Sequence, residues 1–150
     1  DVKGVDYVES LASTLTNNSF FIPTSRKIDL PNVVTEDLTW EKGLDNLVLN
    51  AKIVLSPSLW SNTPEASVLK NILWNGVCAV RQNKFGFNQE MPDDSFIGLT
   101  GSVHKDAETL HSYLESEDKR KALKTSSQLF FESYVVAAEN QIQEVLKIKC

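Results

Sequence analysis

Short, uninterrupted apolar runs alternate with amphipathic segments along this chain, and this alternation constrains the fold more than any other feature. Residues 52–55 and 77–80 form runs without polar alternation, which are typical of strands covered on both faces of a sheet. The run at 77–80 follows an amphipathic segment, 64–75, that ends at Gly76, where a C-cap glycine belongs. Strands that alternate with helices in this way predict a parallel sheet with helices packed against it.

The remaining predicted elements continue the same pattern. Helical spacing and short apolar runs predict helices over residues 4–17, 40–50 and 106–116, and strands over 20–22, 33–35 and 96–99. Residues 118–147 carry one apolar stripe and predict a long C-terminal helix, or two shorter ones. We therefore expect one Rossmann-like domain over residues 1–150, an α/β fold with a doubly wound parallel sheet, helices on both faces and a long C-terminal helix.

Composition excludes several classes of function. Fifteen basic residues against twenty acidic ones give a net charge of −5, which argues against a nucleic-acid-binding surface or an anionic-membrane binder. No apolar run approaches the roughly 18 residues of a membrane helix, and no secretory signal is present. Two cysteines, Cys78 and Cys150, cannot build a disulfide framework or a four-cysteine zinc site. These features predict a cytoplasmic protein without a transmembrane segment.

The best candidate site is the junction between the strand at 52–55 and the helix at 64–75. Ligands of open parallel sheets bind at the carboxyl ends of the strands, and this junction follows such an end. Asn62 or Thr63 can cap the helix, and Pro64 suits its first position. The free N–H groups of such a helix start attract phosphate, although an ordinary strand-loop-helix joint has the same local chemistry. The polar loop at 83–95 follows the next strand and is either part of this crevice or a plain surface loop.

The order of residues 57–80 resembles a known family. Pro57 and Ser58, then an apolar helix, then Gly76 before a covered strand, resemble the family stretch P-S-x-x-x-E-x-x-x-x-x-x-x-E-A-x-x-x-G-x-P-V-V. This stretch belongs to the C-terminal, donor-binding domain of retaining glycosyltransferases with the GT-B fold (glycosyltransferase group 1, family 4-like). Lys3 and Gly4 look like the family's lysine-glycine segment at its first helix, and residues from 96 onward look like its closing strand and terminal helices. The resemblance covers nearly the whole chain but lacks the family's first strand.

The resemblance implies transfer of a sugar from a nucleotide-sugar to a glycan or another acceptor, as in polysaccharide biosynthesis. The donor diphosphate would lie against the helix that begins near Pro64, and Lys3 matches the family's diphosphate-binding lysine. Retaining enzymes of this architecture need no metal, so we expect no cofactor beyond the nucleotide-sugar substrate. The chain begins at Asp1 without a methionine, and we interpret it as a piece of a longer protein whose N-terminal acceptor domain is missing. The isolated domain is then expected to be inactive.

The sequence departs from the family at its two glutamates. In one register they fall on Thr63 and Asn71, and in the other on Asn62 and Lys70. The amide of Asn71 has hydrogen-bonding groups for ribose hydroxyls, whereas Glu65, in the first turn of the helix, would repel a diphosphate. Three explanations stay open: a divergent active enzyme, a different donor, or a non-catalytic scaffold domain that has lost donor chemistry.

Two other functions have weaker support in the sequence. His104 and His111 lie seven positions apart, but His104 precedes the predicted helix and no third ligand is evident, which disfavours a metal site. A receiver-like or flavodoxin-like domain also ranks low. A receiver needs a phosphoacceptor aspartate at a strand end, and no predicted strand ends in aspartate.

Overall fold

A computed structural model of the chain describes residues 4–59 and 66–148. These residues form an α/β fold in which strands and helices alternate and the last helix is long, as the sequence predicted. The elements are α1 Val5–Thr14, β1 Phe20–Pro23, β2 Val33–Glu36, α2 Leu44–Asn50, β3 Val54–Ser56, α3 Ala66–Trp74, β4 Cys78–Arg81, β5 Ile97–Leu99, α4 Val103–Leu114 and α5 Glu117–Ile148.

All strand pairs in the described residues are parallel, but they form two small sheets. β1 pairs with β2, and β3, β4 and β5 form a second sheet in that order, with β4 in the middle. The prediction of parallel pairing is confirmed. The predicted single doubly wound sheet is not observed in the described residues. The strands are only three or four residues long, and β1 and β3 are not hydrogen-bonded to each other.

Two apolar clusters hold the elements together. The first joins α1 and α4 to side chains from both sheets, including Ile22 of β1 and Leu99 of β5. The second packs α3 and α5 against the other face of the three-stranded sheet. Along β4 the side chains alternate accordingly: Ala79 belongs to the first cluster, and Cys78 and Val80 belong to the second. Helices therefore cover both faces of the β3–β4–β5 sheet.

Three helices differ in extent from the sequence prediction, and the first of them, α1, ends at Thr14 rather than at residue 17. The predicted helix over 40–50 is a 3₁₀ turn at Trp40–Lys42 followed by α2, because Gly43 adopts a left-handed conformation (φ 104°) between them. Helix α4 begins at Val103 rather than at residue 106. For α5 the prediction left one helix or two open, and the structure has one continuous helix of 32 residues. No helix in the described ranges has the length and apolar character needed to cross a membrane.

Candidate functional site

The carboxyl ends of β3, β4 and β5 meet at one edge of the sheet. We call this edge the carboxyl edge, and it consists of Ser56, Arg81 and Leu99 together with the residues that follow each of them. Helix α1 begins at this edge because Gly4 lies against Pro57. Gly4 has φ 80°, and a Cβ there would stand 2.6 Å from the Pro57 carbonyl oxygen. Only glycine allows this close approach, so Gly4 fixes the start of α1 beside the loop after β3.

The loop after β4 is tied to the loop after β3. The Asn83 amide donates to the carbonyl oxygen of Leu59 (3.1 Å), and the Asn88 side chain accepts from the Asn83 backbone N–H (3.0 Å). Phe87 is buried against Tyr134 of α5, with ring centroids 5.5 Å apart. Phe85 is 67% exposed, an exposure that the sequence did not predict. This loop is therefore anchored at the carboxyl edge rather than being a plain surface loop.

A buried carboxylate, Asp106, joins α4 to α1 and to the loop after β5. One Asp106 oxygen accepts from the backbone N–H (2.8 Å) and hydroxyl (2.9 Å) of Thr100. The other accepts from the Tyr7 hydroxyl (2.6 Å) and the Gly101 N–H (2.7 Å). Sequence reasoning missed this cluster because Tyr7 and Asp106 are 99 residues apart and no local pattern connects them.

The environment of this cluster shifts two pKa values. Burial alone would raise the pKa of the Asp106 carboxyl, but hydrogen bonds from Tyr7, Thr100 and Gly101 outweigh burial and hold the pKa below its usual value. Burial, followed by the hydrogen bond to Asp106, raises the pKa of the Tyr7 hydroxyl far above its usual value. Asp106 is therefore an ionised acceptor and Tyr7 a permanent donor at neutral pH.

Of the predicted site residues, Asn71 lies in the described part of the chain. It is buried, and its amide donates to the Ser56 hydroxyl (3.1 Å) at the end of β3. Lys70, the alternative from the second register, lies on the outer face of α3, with its ammonium 5.2 Å from the Trp40 ring centroid. The helix therefore turns Asn71, and not Lys70, toward the carboxyl edge.

The other predicted site residues lie outside the described residues, so their positions stay predictions. They are Lys3, Asn62, Thr63, Pro64 and Glu65.

The prediction that His104 precedes the helix was wrong. His104 lies in the first turn of α4, because the Asp106 hydrogen bonds to Thr100 and Gly101 allow the helix to begin before residue 106. His104 is exposed and lies 3.4 Å from Glu108 one turn along the same helix. Within residues 4–59 and 66–148, no three His, Cys, Asp or Glu side chains are grouped as ligands for a metal ion.

The carboxyl edge thus combines a fixed helix start, two linked loops and a buried carboxylate with hydroxyl and N–H donors around it. Such an edge is where open parallel sheets bind ligands. No protein-family model matches this chain, and no curated protein has a matching sequence.

Proposed function

We propose that this chain is the nucleotide-sugar-binding half of a retaining glycosyltransferase with the GT-B architecture. The donor would bind at the carboxyl edge, and the missing N-terminal domain would bind the acceptor. Lys3 and the start of the helix near Pro64 would contact the diphosphate, and Asn71 the ribose. The proposal rests on the residue order of the chain together with the strand pairing.

The observation that carries this proposal is the position of the break between the two sheets. A Rossmann-type sheet has the strand order 3-2-1-4-5-6. Without its first strand, that sheet leaves one parallel pair and one parallel trio. The described pairing, β2–β1 and β3–β4–β5, has this arrangement, with both parts in one apolar cluster. The start of α1 beside Pro57 also suits a strand that would run parallel to β3 and lead into α1.

One observation favours a second candidate, a scaffold domain that has lost donor chemistry. The Asn71 amide, which would have to serve a ribose, is buried and already donates to Ser56. An Asn71 side chain that is bonded to Ser56 contributes to packing between α3 and β3, and fewer of its hydrogen-bonding groups remain for a ligand. Whether the domain binds a nucleotide separates the two candidates.

The test is a calorimetric titration of the chain with UDP, GDP and their sugar conjugates. We expect saturable binding to one nucleotide, with an affinity at least about tenfold weaker in Lys3→Ala and Asn71→Ala, since each substitution removes a polar contact. Asn50→Ala is the matched control for Asn71→Ala, because Asn50 is exposed and, among the described residues, its amide donates to Asn46 within α2. Loss of folding is excluded by comparing urea midpoints.

Equal affinity of the wild type and both variants for the nucleotide would overturn these two site assignments. If neither the chain nor a longer version that includes the acceptor domain binds any nucleotide at millimolar concentration, the donor-binding function is wrong. That result would favour the scaffold function.

A further inference from the structure

Arg81 ends the central strand β4 at the carboxyl edge and is held between two other elements. Its guanidinium carbon lies 4.7 Å from the centroid of the Tyr7 ring on α1. Gly101 is also close to Arg81, since a Cβ at Gly101 would stand 2.9 Å from an Arg81 terminal nitrogen. Gly101 has φ 89°, a backbone conformation that favours glycine, and the nearby guanidinium leaves no room for a Cβ. The Arg81 side chain is partly buried in this slot.

Within the described residues, the Arg81 side chain has neither an ion pair nor a hydrogen bond, whereas the other two arginines of the chain each have hydrogen-bond partners. Arg26 pairs with Asp6 and Glu9, and Arg120 donates to the carbonyl oxygens of Tyr113 and Leu114. No carboxylate in residues 4–59 and 66–148 lies within ion-pair distance of Arg81, and its N–H groups make no hydrogen bond there.

Asp106 is joined to the same Tyr7 and Gly101, but it does not serve as the partner of Arg81. Each of its oxygens already accepts two hydrogen bonds, from Thr100 on one side and from Tyr7 and Gly101 on the other. No buried side-chain nitrogen of the described residues lacks a hydrogen-bond partner, so the unbonded Arg81 nitrogens are open to solvent, where an anion can reach them.

We propose that Arg81 binds a phosphate group of the ligand at the carboxyl edge. This inference rests on the proposed donor-binding function, and it identifies Arg81 as a diphosphate contact in addition to Lys3. The planar fork of a guanidinium matches the oxygens of a phosphate group, and the Tyr7 ring fixes its position by a cation–π contact. Gly4, which follows Lys3 in the sequence, lies at the same edge beside Pro57.

The experiment is a titration of the chain with inorganic pyrophosphate, UDP and GDP at low and at high NaCl concentration. We expect Arg81→Gln to weaken binding by about 10- to 100-fold, because it removes charge-assisted hydrogen bonds. Arg81→Lys keeps the charge without the fork and should lie between Arg81→Gln and the wild type. Added salt should weaken wild-type binding more than it weakens binding to Arg81→Gln.

The matched control is Lys119→Gln. The Lys119 ammonium also lies against a tyrosine ring, 5.6 Å from the centroid of Tyr113. Lys119 is in the first turn of α5, and the whole length of α4 separates it in sequence from the carboxyl edge. This substitution should leave every affinity unchanged, and far-UV circular dichroism checks the fold of each variant.

The possible outcomes separate this inference from the proposed function. Nucleotide binding that is equal in the wild type and Arg81→Gln overturns the role of Arg81 and leaves the donor function standing. Pyrophosphate binding that depends on Arg81, without binding of either nucleotide, supports the phosphate contact and contradicts the donor function. If neither the wild-type chain nor a longer version that includes the acceptor domain binds any of the three ligands at millimolar concentration, both are wrong.

Discussion

The residue whose chemistry is best defined is Asp106, which is 1% exposed and accepts four hydrogen bonds. In Asp106→Asn an amide NH₂ group, which is a donor, replaces one carboxylate oxygen. It would face N–H or hydroxyl donors that bond to the carboxylate in the wild type. We expect the free energy of unfolding to fall by about 1–3 kcal/mol at pH 7. Urea denaturation followed by circular dichroism measures this loss, and Glu108→Gln, an exposed carboxylate on the same helix, is the control.

The loss caused by Asp106→Asn should depend on pH. The pKa of Asp106 in the folded protein is below its usual value, so ionised Asp106 stabilises the fold above the unfolded pKa of about 4. This contribution disappears as the pH falls through the folded pKa. The difference between the wild type and Asp106→Asn should therefore narrow below about pH 4. A difference that stays constant from pH 7 to pH 3 would contradict the role of the carboxylate.

At the residue scale the sequence predicted the region of the candidate site but few of its contacts. The position of the family's second glutamate led to Asn71, whose amide donates to Ser56 at the end of β3. The Tyr7–Asp106 bond joins distant parts of the chain, and neither partner carries a local motif. Arg81 had one usable signal, a cation that directly follows a covered apolar run, since such a position is at the carboxyl end of a strand.

At the scale of elements, a buried asparagine connects the end of α2 to the end of α3. The Asn75 amide donates to the carbonyl oxygens of Val48 (2.7 Å) and Ala51 (2.8 Å), and its oxygen accepts from the Val77 N–H (3.0 Å). Asn75→Ala removes the side-chain amide to which all three backbone groups are hydrogen-bonded. We expect a loss of about 2–4 kcal/mol in the free energy of unfolding, measured by urea denaturation.

Asn50→Ala provides the control for Asn75→Ala, because Asn50 is exposed and its amide donates to Asn46 within the same helix, α2. This control should cost less than about 0.5 kcal/mol, as substitutions at exposed positions usually do. Similar losses in both variants would show that Asn75 does not connect the two helices as described.

Elements were easier to predict than their boundaries. Helical spacing located the helices described here, because burial of one face requires apolar residues at a fixed spacing, and short apolar runs located the strands. The break at Gly43 and the early start of α4 depend on a backbone conformation and on the tertiary contacts of Asp106, which periodicity does not contain. In α5 the apolar stripe predicted helix, but it left open whether one helix or two would form.

At the scale of the molecule, one apolar cluster joins both small sheets, and this predicts a single cooperative unit. Ile22 of β1 is 6% exposed in the cluster that also contains Leu99 of β5. Replacing a buried isoleucine by alanine removes apolar contacts and leaves a cavity, so Ile22→Ala should cost about 2–4 kcal/mol. Val34→Ala, at a 59% exposed position in the neighbouring strand β2, is the matched control.

Cooperativity is tested by comparing two probes of the same unfolding transition in Ile22→Ala. Far-UV circular dichroism reports all elements, and tryptophan fluorescence in a Trp60→Phe background reports Trp40 and Trp74, which contact each other with centroids 6.3 Å apart beside α2 and α3. These tryptophans are not in the cluster that contains Ile22.

If the two sheets belong to one domain, both probes shift to the same lower urea midpoint. A fluorescence midpoint that stays at the wild-type value while circular dichroism shifts would show that the β1–β2 sheet unfolds separately, and the prediction of a single domain would then be wrong.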